Sequence, residues 1–384
     1  MNLNKTGQTG KSLVFAHIGD LHITKAKEQN YIDLLSIIAQ IEVECSKNID
    51  FVVLPGDNAD NGLPEQYRLV ATALKMLSIP VHVIPGDHDM EQGSLEGFYS
   101  LPVAKTLPKS LDVNGIQCLF LDMSGPGKGG PDFRLGNDQL SWLSNALANA
   151  KTENKETVIF VHAYPDDLKN ESEKIAFNRL ITENEVALVD MGHTHYNELA
   201  NDGDTIFSAT RSTGQIEEGP VGYSLISIDN GVVSWRFKPL DDAFPFVLIT
   251  SPADHRLVRK SDQVVSGQVQ IRAVVFSSGT IQTVRCRLEN SGWTTMSKTA
   301  EEKIWSGVII VPAVQEKINV TVEATDETGR PGQHTIQLAA TSYRQAKRIK
   351  NGSDANAIGA WPENGIFGTQ LGPNRNAKPS SKPK

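Results

Sequence analysis

Apolar positions between residues 13 and 238 switch repeatedly between two periods. Short β-branched runs at Leu13–Ile18, Phe51–Leu54, Val81–Ile84, Ile116–Leu121, Thr157–Val161 and Ala187–Asp190 predict strands. Between them, Tyr31–Ser46, Glu65–Leu77, Asp138–Ala150 and Glu173–Ile181 carry apolar residues every three or four positions, which predicts amphipathic helices. The strand runs are apolar at nearly every position, as suits strands covered on both faces, so the alternation predicts an α/β domain with a buried central sheet. After Gly203 the helical period stops. Ile206–Ala209, Tyr223–Ile228 and Val232–Phe237 read as successive antiparallel strands, with Asp229-Asn230-Gly231 as a tight hairpin turn.

The pattern changes near Asp241–Pro245. From Phe246 to Ala340 every periodic segment is strand-like: Phe246–Ile249, Gln268–Phe276, Ile281–Leu288, Trp305–Val311, Lys317–Thr325 and His334–Ala339. Turn sequences such as Asn290-Ser291-Gly292 separate them, which predicts a β-sandwich, with a small barrel as the alternative. The expected organisation is therefore residues 12–240, 245–341 and a tail, 342–384. The tail has eight Lys or Arg against two acids, and its last dozen residues are expected to be disordered. Trp361, Ile366 and Phe367 are too apolar for such a tail and are expected to pack back onto the body or onto a second subunit.

Composition narrows the class. A chain of 384 residues favours two domains, and 39% hydrophobic with 21% charged residues describes a soluble globular protein with no apolar run long enough to span a bilayer. Met1–Lys11 is polar and lacks the apolar stretch of a signal peptide, so a cytoplasmic location is expected. Cys45, Cys118 and Cys286 are odd in number and scattered, which fits reduced buried thiols. The net charge of −8 argues against a general nucleic-acid coat, although it leaves room for a local basic cleft.

Five of the nine histidines fall within ordered short motifs, each following a strand-like run: Asp20-Leu21-His22, Gly56-Asp57-Asn58-Ala59-Asp60, Gly86-Asp87-His88-Asp89, a lone His162, and Gly192-His193-Thr194-His195. This is the ligand inventory of a two-metal hydrolytic centre. Hydrolysis of a phosphate ester at neutral pH needs a nucleophile better than water and neutralisation of transition-state charge, and paired divalent cations supply both. Mixed carboxylate and imidazole ligands suit Mn, Fe, Zn, Co or Ni. A carboxylate bridges two cations where an imidazole does not, so the bridge falls to an Asp.

The order and spacing resemble the calcineurin-like metallophosphoesterase superfamily, whose signature is Asp-x-His, Gly-Asp-x-x-Asp, Gly-Asn-His-Asp/Glu, His and Gly-His-x-His. The resemblance covers roughly Leu13 to Lys238 and implies a layered α/β/β/α domain. Residue by residue, it implies that Asp20, His22 and His195 hold one metal and that Asp57 bridges the pair. Asp87, His162 and His193 would complete the second, and His88, oriented by Asp60, would donate to the leaving-group oxygen. Asp87 departs from the pattern, standing where the family has Asn. Its extra charge is expected to tighten the cation while weakening the pull on an anionic substrate.

The motifs are also similar to the class III cyclic-nucleotide phosphodiesterase branch. The implied activity is hydrolysis of a small phosphodiester, such as a cyclic nucleotide, by a hydroxide bridging the two metals. Phosphomonoesterase and nucleotide pyrophosphatase chemistry remain alternatives, since substrate choice lies in loops, here Met90–Leu107 and Ser124–Asn137. A third alternative is a non-catalytic metal-binding scaffold. The C-terminal module loosely resembles immunoglobulin or fibronectin-like modules through Val284–Leu288, Trp293 and Val322–Asp326, and would restrict the active-site mouth, support dimerisation or bind a protein partner.

Other residues carry open readings. Asn58 is either a loop residue or a substrate phosphate contact. Arg211 is either a solvated surface residue or a phosphate contact. Asp89 reads as a turn or supporting carboxylate, with direct ligation as the alternative, His17 and His82 as core or ligand-supporting histidines, and His255 and His334 as surface residues. Gly125–Pro131 lacks the Gly-Lys-Ser/Thr ending of a phosphate loop and is expected to be a flexible loop near the cleft.

Overall fold

The computed structural model describes residues 11–126, 131–313, 317–339 and 356–368. In chain order its first part contains β1 (Ser12–His17), α1 (Gln29–Gln40), β2 (Phe51–Leu54), α2 (Pro64–Leu74), β3 (Val81–Val83), α3 (Glu96–Tyr99), β4 (Lys109–Val113) and β5 (Ile116–Phe120). Then come α4 (Gly136–Thr152), β6 (Glu156–Phe160), α5 (Glu171–Glu183), β7 (Leu188–Met191), β8 (Glu198–Asn201), β9 (Ile206–Ala209), β10 (Gly222–Asp229) and β11 (Val232–Pro239). They form two sheets, ordered β11-β10-β1-β2-β3 and β4-β5-β6-β7-β9-β8.

The two-residue alternation of a strand explains the layers. In β1, Leu13 and Phe15 face a middle core shared with Phe51, Phe120, Phe160 and Trp235, and so join the two sheets. Val14 and Ala16 face the opposite way, beneath Leu34, Ile37 and Ile38 of α1 and Val70 of α2. On the far side of the second sheet, Leu119, Ile159 and Val189 pack under Leu143 and Leu147 of α4 and Phe177 and Ile181 of α5. The result is an α/β/β/α sandwich. Its centre is aromatic, with Phe15 stacked on Phe51 at 5.3 Å and Phe120 on Phe160 at 4.6 Å. Each such ring removed from water stabilises the fold by about 1.5–3 kcal/mol.

Two of the differences from the sequence expectation lie in how these elements pair and end. Ile206–Ala209 is not the first of three successive antiparallel strands: β9 runs parallel to β7 and antiparallel to β8 in one sheet, while β10 and β11 belong to the other. The predicted helix ending at Ser46 leaves α-geometry after Gln40 and continues as a π-helical turn, with Ser46 N bonded to Ile41 O at 2.9 Å.

The second part contains β12 (Phe246–Ser251), β13 (Gly267–Phe276), β14 (Ile281–Leu288), β15 (Thr294–Thr295), β16 (Ser297–Lys298), β17 (Ile304–Val311), β18 (Ile318–Asp326) and β19 (Pro331–Leu338). Two antiparallel sheets, β12-β13-β17-β16 and β15-β14-β18-β19, share a core of Val247, Ile271, Ala273, Cys286, Val322 and Ile336. The alternate residues Phe246, Leu248, Val274 and Phe276 enter the core beneath α1, so this part is docked firmly on the first. Polar ties reinforce the seam: buried Asp229 accepts from Thr250 Oγ1 at 2.6 Å and Arg272 Nε at 2.8 Å.

His334, read from sequence as a surface residue, is buried, and its Nδ1 accepts from Ile249 N at 3.0 Å. The hydrogen bond explains the difference, because a ring nitrogen satisfies a backbone N–H that the seam would otherwise strand. Trp361 and Ile366 lie buried in the middle core, while Phe367 stays half exposed. The terminal dozen residues, and Gly127–Gly130 of the glycine-rich loop, lie outside the described residues.

Candidate metal centre

Parallel strands deliver the motifs to one edge. The chain leaves β1 into Asp20 and His22, β2 into Asp57, β3 into Asp87 and His88, β6 into His162, and β7 into His193 and His195. The carboxyl ends of parallel strands are where α/β folds gather ligands. The tight geometry there depends on glycine: a Cβ on Gly56, at φ +124°, would lie 2.2 Å from His162 Nδ1, and one on Gly192 would lie 2.2 Å from Asp20 Oδ1.

The seven predicted ligands converge as two groups, Asp20 with His22 and His195, and Asp57 with Asp87, His162 and His193. In the first, His22 Nε2 and His195 Nε2 face each other at 3.0 Å, and His195 Nε2 lies 3.8 Å from Asp20 Oδ2. In the second, Asp87 Oδ1 lies 3.2 Å from His162 Nε2 and 3.4 Å from His193 Nδ1. Asp57 stands between them, with Oδ2 3.6 Å from His22 Nε2 and 3.4 Å from His162 Nε2.

Backbone strain is concentrated here. His22, Asp57, His193 and His195 all have positive φ, between 42° and 66°, so four of the seven occupy a left-handed conformation costing about 1–3 kcal/mol per residue. Of the other six non-glycine residues with positive φ among the described residues, four are Asn, the residue that tolerates it best.

Charge is tightly compensated among the chain's own groups. Burial alone would raise Asp57, but the charge of His162 beside it holds its carboxyl at about 2. Burial opposes ionisation of Asp87 as well, and His162 and His193 outweigh it and drive the carboxyl well below the usual range. Burial lowers His195 to about 4, so the ring is neutral at neutral pH.

These residues fit divalent cations. Asp20 Oδ1 and Asp57 Oδ2 are buried and receive no hydrogen bond, with only the rings of His162 and His22 facing Asp57 Oδ2, at 3.4 and 3.6 Å, so both oxygens retain lone pairs that a divalent cation would take up. His162 Nδ1 donates to Pro55 O at 2.9 Å, which turns Nε2 toward the carboxylates in the orientation a metal-binding imidazole needs.

The neighbouring residues divide by role. His88 Nδ1 donates to the main-chain carbonyl of Asp60 at 2.7 Å, whereas the Asp60 carboxylate faces His22 Nδ1 at 3.6 Å. Asp60 therefore orients His88 through its backbone. Asn58 is fully buried, and its Nδ2 donates to Ile84 O and Asp89 Oδ2, so the side chain braces the loop and does not reach substrate. Asp89 also accepts from Gly86 N at 2.9 Å and Tyr67 Oη at 2.8 Å, which ties the β2 and β3 loops together.

Arg211 is neither solvated nor open to substrate: it is 1% exposed, and its guanidinium bonds the carbonyls of Glu218, Pro220 and Gly365. His17 is buried against Asp190 at 2.7 Å, and His82 lies partly buried beside Phe51 and Phe120. Gln215, which no motif marked, reaches His22 Nδ1 at 3.2 Å. A lone Gln in a loop carries no signal of its own.

Residues 13–197 match the family model described as calcineurin-like phosphoesterase. These residues form a calcineurin-like phosphoesterase domain. The phosphoesterase domain is 32% identical over 125 residues to a probable cyclic nucleotide phosphodiesterase of Fibrobacter succinogenes, spanning 32% of this chain and 44% of that protein. It is 30% identical over 172 residues to the glycerophosphodiester phosphodiesterase GpdQ of Enterobacter lignolyticus, spanning 41% of this chain and 59% of that protein. The chain thus spans about half the length of these curated relatives. A purple acid phosphatase from yellow lupin seeds aligns at 13% identity with a TM-score of 0.48, over 62% of this chain and 53% of that one. Among the described residues no helix is long and apolar enough to cross a membrane.

Proposed function

We propose that the phosphoesterase domain hydrolyses a small phosphodiester, of the cyclic-nucleotide or glycerophosphodiester kind, at a site for two divalent cations. The observation that carries this reading is Asp57 Oδ2, a buried carboxylate oxygen without a hydrogen bond that faces imidazole nitrogens of both ligand groups. Asp20, His22 and His195 would hold one cation, Asp87, His162 and His193 the other, and Asp57 both. Divalent cations in such a site lower the pKa of a bound water and neutralise charge on the phosphoryl oxygens.

The chain's own part in catalysis centres on His88. A carbonyl accepts and never donates, so the bond from Nδ1 to Asp60 O fixes a proton on that nitrogen. Among the chain's own groups, burial works against a charged ring while Asp57 and the Asp60 carbonyl raise His88 above its ordinary value. A cationic His88 carries a second proton on Nε2 and can deliver it to the departing oxygen.

The names of the two bacterial relatives support diester over monoester chemistry. The test is a rate comparison on bis-(p-nitrophenyl) phosphate, p-nitrophenyl phosphate, 3′,5′-cyclic AMP and glycerophosphoethanolamine, with Mn2+ supplied to the full chain. Faster turnover of the diesters is expected. Turnover confined to the monoester would overturn the substrate class, and no turnover with cations bound would favour a scaffold.

A further inference from the structure

The C-terminal segment reaches the metal centre through an unbroken path. Trp361 and Ile366 are buried in the core between the two sheets, which seats the turn at Gly365. The Gly365 carbonyl accepts twice, from Asn197 Nδ2 at 2.9 Å and from Arg211 Nη2 at 2.6 Å. Asn197 Oδ1 in turn accepts from Arg211 N at 2.8 Å, so the three residues form a closed triangle. The Arg211 guanidinium also lies against two rings, 4.4 Å from Phe237 and 5.2 Å from Phe367.

From this anchor residues 212–215 run as a strap beside the first ligand group. Ser212 N bonds His195 O at 3.3 Å, Ser212 Oγ bonds Asp20 O at 2.8 Å, and Thr213 N bonds the same oxygen at 3.0 Å. Gln215 Nε2 ends the strap 3.2 Å from His22 Nδ1. All three members of the Asp20–His22–His195 group therefore touch the strap. The second group is braced mainly elsewhere: His162 by Pro55, and the β2 and β3 loops carrying Asp57 and Asp87 by Asp89, while His193 N ties it to the first group by donating to Asp20 Oδ2 at 2.7 Å.

We infer that Arg211 and Asn197 are positioning residues through which the seated segment 361–367 organises one cation position, that of Asp20, His22 and His195, largely independently of the other. This rests on the two-cation reading above. A planar fork of five donors suits the task, since one guanidinium holds three carbonyls in a rigid geometry that a rotating ammonium does not impose. Loosening the anchor lets the strap shift, and outer contacts of this kind typically change metal affinity by roughly 10–100-fold.

The test is calorimetric titration of the metal-free full chain with Mn2+, alongside its thermal melting. For Arg211→Met and, separately, Ile366→Ala, one of two binding events is expected to weaken roughly ten-fold or more while the other stays within about two-fold. In an Asp20→Asn background, which removes the first position, Arg211→Met should change the remaining event no further. Equal weakening of both events, or of neither, would overturn the inference. Should Arg211→Met not fold, as its melting would reveal, Ile366→Ala decides alone because it keeps the guanidinium. A wild-type chain that takes up fewer than two ions would refute the underlying two-cation reading instead.

Discussion

Asp87 Oδ1 lies 3.2 Å from His162 Nε2. The contact places a carboxylate where relatives of this pattern carry an amide, at an oxygen that faces His193 as well. An Asn keeps the oxygen at the same reach and removes one negative charge. Asp87→Asn should therefore keep the fold and weaken the cation held by Asp87, His162 and His193 roughly ten-fold, about 1.4 kcal/mol. Metal content after dialysis and the diester rate, measured together, check this. Identical values in both would remove Asp87 from the ligand set.

His88→Asn tests the acid separately from the ligands. The ring is fixed through Asp60 O, so its loss should lower kcat by about 100-fold or more and leave cation stoichiometry unchanged. A substrate with a nitrophenolate leaving group needs little protonation and should be affected far less than a cyclic nucleotide. Equal losses on both substrates would argue against a proton donor.

Cation removal should destabilise as well as inactivate. A ligand at 100 times its Kd stabilises the folded chain by about 2.7 kcal/mol per site. At roughly 2–4 °C per kcal/mol for a domain of this size, EDTA treatment should lower Tm by several degrees, and Mn2+ or Zn2+ should restore it. A Tm indifferent to chelator and metal would mean that the buried carboxylates are satisfied by the protein alone.

All three cysteines are buried and unpaired. Burial pushes Cys45 up to about 12 and Cys286 up to about 11, and raises Cys118 as well, so thiolate is scarce at neutral pH. Ellman's reagent at pH 8 should therefore find almost no reactive thiol in the native chain and three after denaturation. A fast-reacting thiol in the native state would contradict the packing at that cysteine.

Much of this architecture was legible in the sequence, for definable reasons. The strands that carry the motifs are buried on both faces, so Phe51-Val52-Val53-Leu54 announces itself by composition. The motifs are local, and each reports its own place in the chain. What escaped was the edge and the long-range pairing. Lys109-Ser110-Leu111-Asp112-Val113 is a half-exposed edge strand whose alternating polar residues look like a loop, and Glu198–Asn201 is too short and polar to stand out. Nothing in Ile206–Ala209 tells that it pairs with β7 and not with β10.

The same logic governs the site. The candidate ligands stood out because coordination demands particular residue types at fixed spacing. Asn58 and Arg211 misled because a buried side chain bracing backbone carbonyls looks, in sequence, like one waiting for phosphate. Gln215 and Gly365 reach the centre only through tertiary contacts, across 193 positions to His22 in one case and 154 to Arg211 in the other.

The central claim, that Asp57 joins two cation positions, is tested most directly by an anomalous difference map from crystals grown with Mn2+. Two peaks per chain are predicted, one among Asp20, His22 and His195, the other among Asp87, His162 and His193, with the Asp57 carboxylate touching both. A single peak, or none within reach of Asp57, would contradict the account.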